Sequence, residues 1–291
     1  MYYYAFNLKI KSDLKLDRAQ PIEDCFPDVQ IYKSNAAYNE SLGFQQASFW
    51  SGDSKFFSVY VPNIAYFKIV DGNTILYHPD STNDYDSIAL FILGTCMGAL
   101  LSQRKKLVLH ANAIKVGDHA VLFSGPSGIG KSTLAAAFSN LGYPVLADDL
   151  AVIDENNQVS PSYPFIKLWQ DTSDKMGITT TELRRVRPQI EKFELPVHHS
   201  FYQEPLPVKS VFFLNTHNKD TFEIEEITGF GKIPFLKNNT YRINHIEAMG
   251  LLGHHLKASS HLANHSSLYK ISRPENGFMI EELIRFIQNY I

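Results

Sequence analysis

The run Gly125-Pro126-Ser127-Gly128-Ile129-Gly130-Lys131-Ser132 constrains this 291-residue chain more than any other feature. It matches the pattern G-x-x-x-x-G-K-[ST] in full. An apolar strand sequence, Ala120-Val121-Leu122-Phe123, precedes it, and a strong helix sequence, Thr133-Leu134-Ala135-Ala136-Ala137-Phe138, follows. Gly142 stands where that helix needs a C-terminal cap. Glycines let the backbone curl so that successive N–H groups converge on phosphate oxygens. The helix then adds the partial positive charge of its N-terminus. Lys131 supplies a full charge to the β- and γ-phosphates, and the Ser132 hydroxyl is spaced to ligate Mg²⁺. Gly125, Pro126, Ser127, Gly128, Ile129, Gly130, Lys131, Ser132 and Thr133 are therefore the expected nucleotide-binding residues, for a nucleoside triphosphate carried with Mg²⁺.

The next signal is a pair of acids. Tyr143-Pro144-Val145-Leu146-Ala147 reads as an apolar strand that returns beside the loop after one short helix and ends in Asp148-Asp149. Acids at the end of such a strand are placed to hold Mg²⁺ on the phosphates. Neighbours on a strand point to opposite faces, so one carboxylate can serve the metal while the other takes a proton from an attacking hydroxyl. His110, flanked by Leu109 and Ala111, reads from the residues alone as a satisfied histidine on a buried strand.

Composition excludes several classes. Lys plus Arg total 27 against 30 for Asp plus Glu, a formal net charge of −3, which leaves no field for nonspecific nucleic-acid binding. Two cysteines, Cys25 and Cys96, rule out a disulfide framework and fit a reducing compartment. The opening lacks the features of a signal peptide. Residues 88–101 carry no charge, but this run is shorter than the ~20 residues of a membrane span and reads as a buried core helix. The expectation is a cytoplasmic protein with no membrane and no nucleic-acid partner.

The texture of the chain changes along its length. Strands are expected at residues 3–10, 30–33, 48–50, 56–61, 66–70 and 74–78, forming an aromatic-rich antiparallel β module with a hairpin turn at Asp71-Gly72-Asn73. Further strands fit 106–116, 119–124, 145–153, 208–214, 222–227 and 268–271. Helices fit 131–141, 180–187, 231–236, 246–263 and 280–291. Residues 171–207 show little periodicity and read as a functional loop.

The stretch Leu109-His110-Ala111, with Gly125 to Ser132 and Ala147-Asp148-Asp149, resembles the catalytic domain of HPr kinase/phosphorylase. His110 lies fifteen residues before Gly125, and the Asp pair follows in the same register. The resemblance implies that Asp149 is the general base on a serine hydroxyl, that Asp148 sits near the metal and that His110 lies beside the γ-phosphate. It implies ATP and Mg²⁺. The downstream Glu-x-Arg-Gly-x-Gly signature of the bifunctional enzymes is absent between residues 150 and 200, so phosphorylase activity and the carrier protein HPr do not follow from it. The opening residues 1–16 and the string Tyr163-Pro164-Phe165-Ile166-Lys167-Leu168-Trp169-Gln170-Asp171 are similar to HPr-kinase-related proteins of lasso-peptide gene clusters, which phosphorylate the C-terminal serine of a precursor peptide.

The expected architecture is α/β (α+β). A β-rich N-terminal module with a linking helix takes residues 1–104, and a P-loop kinase domain of the HPr kinase type takes 105–291. The expected activity is ATP-dependent transfer of the γ-phosphoryl group to a serine of a peptide or small protein, by Asp149, Lys131 and His110 with metal at Ser132 and Asp148. A carrier protein or a small-molecule hydroxyl is the alternative acceptor, and a non-catalytic nucleotide-binding regulator is the alternative class. A GTPase is disfavoured because Asn218-Lys219-Asp220 lacks the spacing of N/T-K-x-D. Lys167 and Arg242 are candidate phosphate or substrate contacts. Arg184, Arg185 and Arg187 could close over phosphates or form a solvated helix face. His254, His261 and His265, like His198-His199, read as polar surface rather than metal ligands. A homo-oligomer stays open.

Overall fold

The computed structural model describes residues 1–34, 50–80, 84–275 and 277–291, and the chain forms two compact units. The first comprises Met1–Val108 and Tyr241–Ala258, the second Leu109–Thr240 and Ser259–Ile291. A single boundary at 104/105 therefore does not describe the chain, because a later segment returns to the first unit. Local contacts within that unit give the reason. Tyr241 N–H donates to Val108 C=O at 2.9 Å, and the His245 ring packs on Trp50 and Phe57.

The first unit is built on an eight-stranded sheet. Alternation drives it: Leu8–Ser12 and Ala65–Val70 each bury every second residue. The expected strand at 3–10 is two strands, Tyr2–Ala5 and Leu8–Ser12, joined by a tight turn in which Phe6 and Asn7 both take positive φ. The sheet is mixed rather than antiparallel, since Val29–Lys33 runs parallel to both Leu8–Ser12 and Thr74–Pro79. The expected strand at 48–50 lies outside the described residues except for Trp50, which opens Trp50–Gly52. The Asp71-Gly72-Asn73 turn joins Ala65–Val70 to Thr74–Pro79 as expected. Gly72, at φ +64, donates to Gln103 Oε1 and accepts from Arg104 Nη1.

Those two residues close the apolar helix, which is longer than its charge-free core. It runs from Tyr85 to Gln103, with Asp84 as N-cap and a π-turn at Ile92–Cys96. Its 19 residues are long and apolar enough to cross a membrane by length and composition, but 72% of the relevant window is buried inside the protein. Burial, not length, makes it a core helix.

The second unit carries the glycine-rich loop. His119–Ser124, Leu206–His217 and Ser267–Pro274 run parallel and side by side, and Ala111–Val116 pairs antiparallel with His119–Ser124. Helix Lys131–Asn140 buries Leu134, Ala135, Ala136 and Phe138, with the Phe138 ring stacked on Phe123 at 5.4 Å. Small alanines let the helix approach the sheet, and each large apolar side chain buried contributes about 1.5–3 kcal/mol. Ile284 and Ile287 from Ile280–Gln288 complete this core together with Ile166 and Leu168.

Other expectations are corrected here. Residues 180–187 are not helical: Arg184–Arg185 is a short strand paired with Lys192–Pro196. Three consecutive threonines, 179 to 181, and Pro188 after Arg187 oppose a helix there. Residues 171–207 are not a structureless loop, since Phe165–Trp169, Lys192–Pro196 and Arg184–Arg185 form a three-stranded sheet. The expected helix 246–263 is two helices, Ile243–Ala248 and Leu252–His265, separated by Gly250 at φ +68.

Candidate functional site

The loop leaves the C-terminal end of His119–Ser124, where ligands of parallel sheets collect. Gly125, Gly128 and Gly130 all take positive φ. At Gly125 a Cβ would also meet Leu214 C=O at 2.8 Å, so glycine is required twice over. Gly130 is the N-cap of Lys131–Asn140. Lys131 is 5% exposed, and its Nζ donates to Gly125 C=O at 2.8 Å and Pro126 C=O at 3.0 Å. Burial pushes its pKa down, against the pull of Asp149 and Asp148.

The Asp pair does not lie on a strand. The expected strand 145–153 breaks into Val145–Ala147 and Ala151–Ile153, and Asp149 takes φ +67 in the turn between them. That conformation costs a non-glycine residue of order 1–3 kcal/mol, and such costs concentrate at functional sites. The turn sends the two side chains to different partners, the division that strand alternation was expected to make.

Asp148 is 1% exposed and accepts three hydrogen bonds. Asn112 Nδ2 and Ser132 Oγ reach Oδ1 at 2.8 and 2.9 Å, and Lys167 N–H reaches Oδ2 at 2.9 Å. Burial, and then the Asp149 charge, push its carboxyl up to about 6. Asp149 receives the Lys167 ammonium on Oδ2 at 2.9 Å, and His110 Nε2 lies 3.8 Å from its Oδ1. Burial works to raise the Asp149 pKa, but Lys167 and then His110 and Lys192 hold it well below the carboxylate range. Burial likewise works to lower the Lys167 pKa, and the Asp149 charge reverses it, so Lys167 stays charged.

Thus the second unit brings together the loop, Ser132, Asp148, Asp149, His110 and Lys167. His110 sits at a break between Leu107–Leu109 and Ala111–Val116 rather than on a continuous strand. Its N–H donates to Asn239 C=O, and its C=O accepts from Ser124 Oγ. Arg242 belongs to the first unit, where it takes φ +49 at the N-cap of Ile243–Ala248 and lies 5.6 Å from the centre of the Tyr241 ring. The second unit's constellation is assembled without it. The His261 and His265 rings lie tilted with centres 4.2 Å apart, and the His198 ring packs edge-on against Phe165. Among the described residues no group of three acidic, His or Cys side chains could hold a metal.

Three residues escaped the sequence reading. Asn112 is fully buried beneath Asp148. Its signal was a polar side chain two residues after His110, set between Ala111 and Ala113. Lys192 faces Trp169 across the small sheet, its Nζ 5.6 Å from the ring centre. Arg273 Nη2 donates to Ile129 C=O at 3.3 Å, from the end of the parallel strand Ser267–Pro274. Burial lowers its pKa.

The donor set suits a hard cation. Ser132 Oγ and Asp148 Oδ1 are adjacent oxygens at the head of the loop helix, and Mg²⁺ takes one or two protein oxygens when phosphates and water supply the rest.

No family model matches the chain, and no curated protein matches it. Among solved structures, the Hpr(Ser) kinase/phosphatase from Coxiella burnetii aligns over 63% of this chain and 89% of its own, at 16% identity and a TM-score of 0.33. A likeness of that size carries no chemistry, which has to come from the residues themselves. They define a mixed α/β fold in which a glycine-rich strand–loop–helix unit stands beside a carboxylate pair, the buried Asp148 and the half-buried Asp149.

Proposed function

We propose that the chain is an ATP-dependent kinase of the HPr-kinase-like type, transferring the γ-phosphoryl group to the serine hydroxyl of a peptide. The observation that carries this reading is Asp149: a carboxylate in a strained turn, held ionised by Lys167 beside a phosphate-binding loop. A carboxylate kept ionised by a specific cation beside such a loop is a candidate functional group.

The loop N–H groups and Lys131 hold the β- and γ-phosphates, with Lys131 exchanging its carbonyl partners for phosphate oxygens. Ser132 and Asp148 would hold Mg²⁺, which would supply charge neutralisation for the phosphates. Lys167 occupies Asp149 Oδ2, so Oδ1, with His110 Nε2 3.8 Å away, is the oxygen that receives the serine proton. The serine Oγ then forms its bond to the γ-phosphorus as the bond to the β,γ-bridging oxygen breaks and ADP leaves. Asn112 and the Lys167 N–H fix the Asp148 side chain, and Arg273 braces the loop through Ile129. The string from Pro164 to Asp171 favours a peptide ending in serine, as in lasso-peptide precursors.

The test is to incubate the protein with MgATP and a peptide ending in a free serine and to record intact masses. One phosphate gained on that serine is expected. Asp149→Asn, which tolerates positive φ, should lose at least about a hundredfold in rate while ATP affinity holds. Undiminished transfer by that variant would remove Asp149 as the base. A peptide left unmodified while ATP binds would move the acceptor to a carrier protein or a small molecule.

A further inference from the structure

Among the described residues the strand Phe165–Trp169 is paired along one edge only. Its partner Lys192–Pro196 sets Lys167 opposite Glu194 and Trp169 opposite Lys192. In an antiparallel ladder, alternate residues turn their N–H and C=O toward the partner and away from it. Even-numbered positions face the partner: Gln170 N–H donates to Glu191 C=O, and Pro164 C=O accepts from Val197 N–H, both at 2.9 Å. Odd-numbered positions therefore face outward. The Lys167 N–H shows where that edge leads, because it ends on Asp148 Oδ2 at 2.9 Å. The next outward groups along the strand are Lys167 C=O and Trp169 N–H, and neither has a hydrogen-bond partner among the described residues. Trp169 is 45% exposed, with the Lys192 ammonium beside its ring. An open strand edge is a template for another strand, and this one begins at the carboxylate pair.

We propose that this edge is the acceptor platform: an extended peptide pairs with Lys167 C=O and Trp169 N–H as an added strand, lays its serine beside Asp149 and packs an alternate side chain on the Trp169 indole. Residues advance ~3.3 Å along a strand, so a peptide paired at Trp169 reaches the carboxylates within about two residues. The Lys192 charge favours an acidic peptide over a basic one. The inference rests on the kinase reading and deepens it, because it names the acceptor as extended main chain rather than a folded surface or a small alcohol.

Two probes test it at equal serine concentration with MgATP: a degenerate, end-blocked heptapeptide library with a central serine, and N-acetylserine methylamide. The library should be phosphorylated at least about tenfold faster, and N-methylation of the peptide backbone two residues from the serine should remove about that factor. Trp169→Ala loses the indole but keeps the N–H. Trp169→Pro also removes the N–H at a position whose φ of −72 is proline's own, and it should transfer to the library about tenfold more slowly than Trp169→Ala. ATP affinity checks that both variants are folded, and if the proline variant is not, N-methylation of the peptide decides on the wild-type protein. Equal rates on both probes, indifference to N-methylation, or folded Trp169 variants of equal rate would overturn edge pairing while the kinase reading stands. No transfer to either probe, with ATP bound, would overturn this inference, while the kinase reading is decided separately by the peptide ending in a free serine.

Discussion

His245, in the first unit, is 4% exposed and lies tilted against the rings of Trp50 and Phe57, at centroid distances of 5.2 and 4.8 Å. Asp149, in the second, keeps 20% of its side chain exposed and holds the Lys167 ammonium at 2.9 Å. Burial, and then the Arg242 charge, push the His245 pKa down to about 4, so it is neutral. Lys167 does the reverse for Asp149, which stays ionised. Aromatic surroundings resolve a buried titratable group by removing its charge. A site that must act on a proton or a cation keeps the charge and surrounds it with donors.

The comparison is broken most directly at Lys167. Lys167→Met leaves Asp149 buried without its cation and should cost about 3–5 kcal/mol in urea unfolding, with transfer lost as well. Adding Asp149→Asn to that variant should return most of the stability and none of the activity. A single substitution that costs nothing would mean that the pair is not the charge-keeping device described here.

His245 supplies the opposite case and the next largest effect. Between pH 6.5 and about 4 the unfolded chain binds a proton that the folded protein refuses, so this contribution to stability falls as pH falls. The loss is about 1.4 kcal/mol per pH unit and about 3 kcal/mol across the window. Above pH 6.5 it vanishes. His245→Phe, which retains an aromatic ring, should flatten the slope of urea-derived stability over that window, and an unchanged slope would assign the acid sensitivity elsewhere.

The smallest effect sharpens the picture at Asp148. Asn112→Ala removes one of the two donors to Oδ1 and should destabilise the protein by about 1.5–3 kcal/mol. Magnesium dependence of transfer should shift to higher concentration, because a freer Asp148 holds the cation less well. Wild-type magnesium dependence would limit Asn112 to packing.

Much of the site was legible because its parts are local. Glycines at 125, 128 and 130 are needed by positive φ, and Lys131 and Ser132 follow within the same turn. The strand His119–Ser124 came out with its observed bounds and the helix at 131 within one residue, because apolar runs flank the loop on both sides. The turn at Asp149 was not legible, because Ala147-Asp148-Asp149-Leu150-Ala151 carries no glycine or proline to mark it. Its positive φ is imposed by the partners on either side. His110 was placed on a strand for the same reason: the break there is set by Ser124 and Asn239, distant in sequence. The helix expected at 180–187 failed because the threonines at 179–181 and Pro188 oppose it and Arg184–Arg185 pairs with Lys192–Pro196 instead.

What the sequence determined by itself is the glycine-rich loop with its strand and helix, and the presence of two acids shortly after it. Both follow from backbone permissiveness and hydrophobic period, which act over a few residues. Only the tertiary structure decided which acid keeps its charge, through Lys167 from a separate small sheet, and which residues brace the loop and the acids, Arg273 and Asn112. It also decided that residues 241–258 return to the first unit. Coulomb interactions and burial depend on distances between segments far apart in the chain, and no spacing along the sequence encodes those distances.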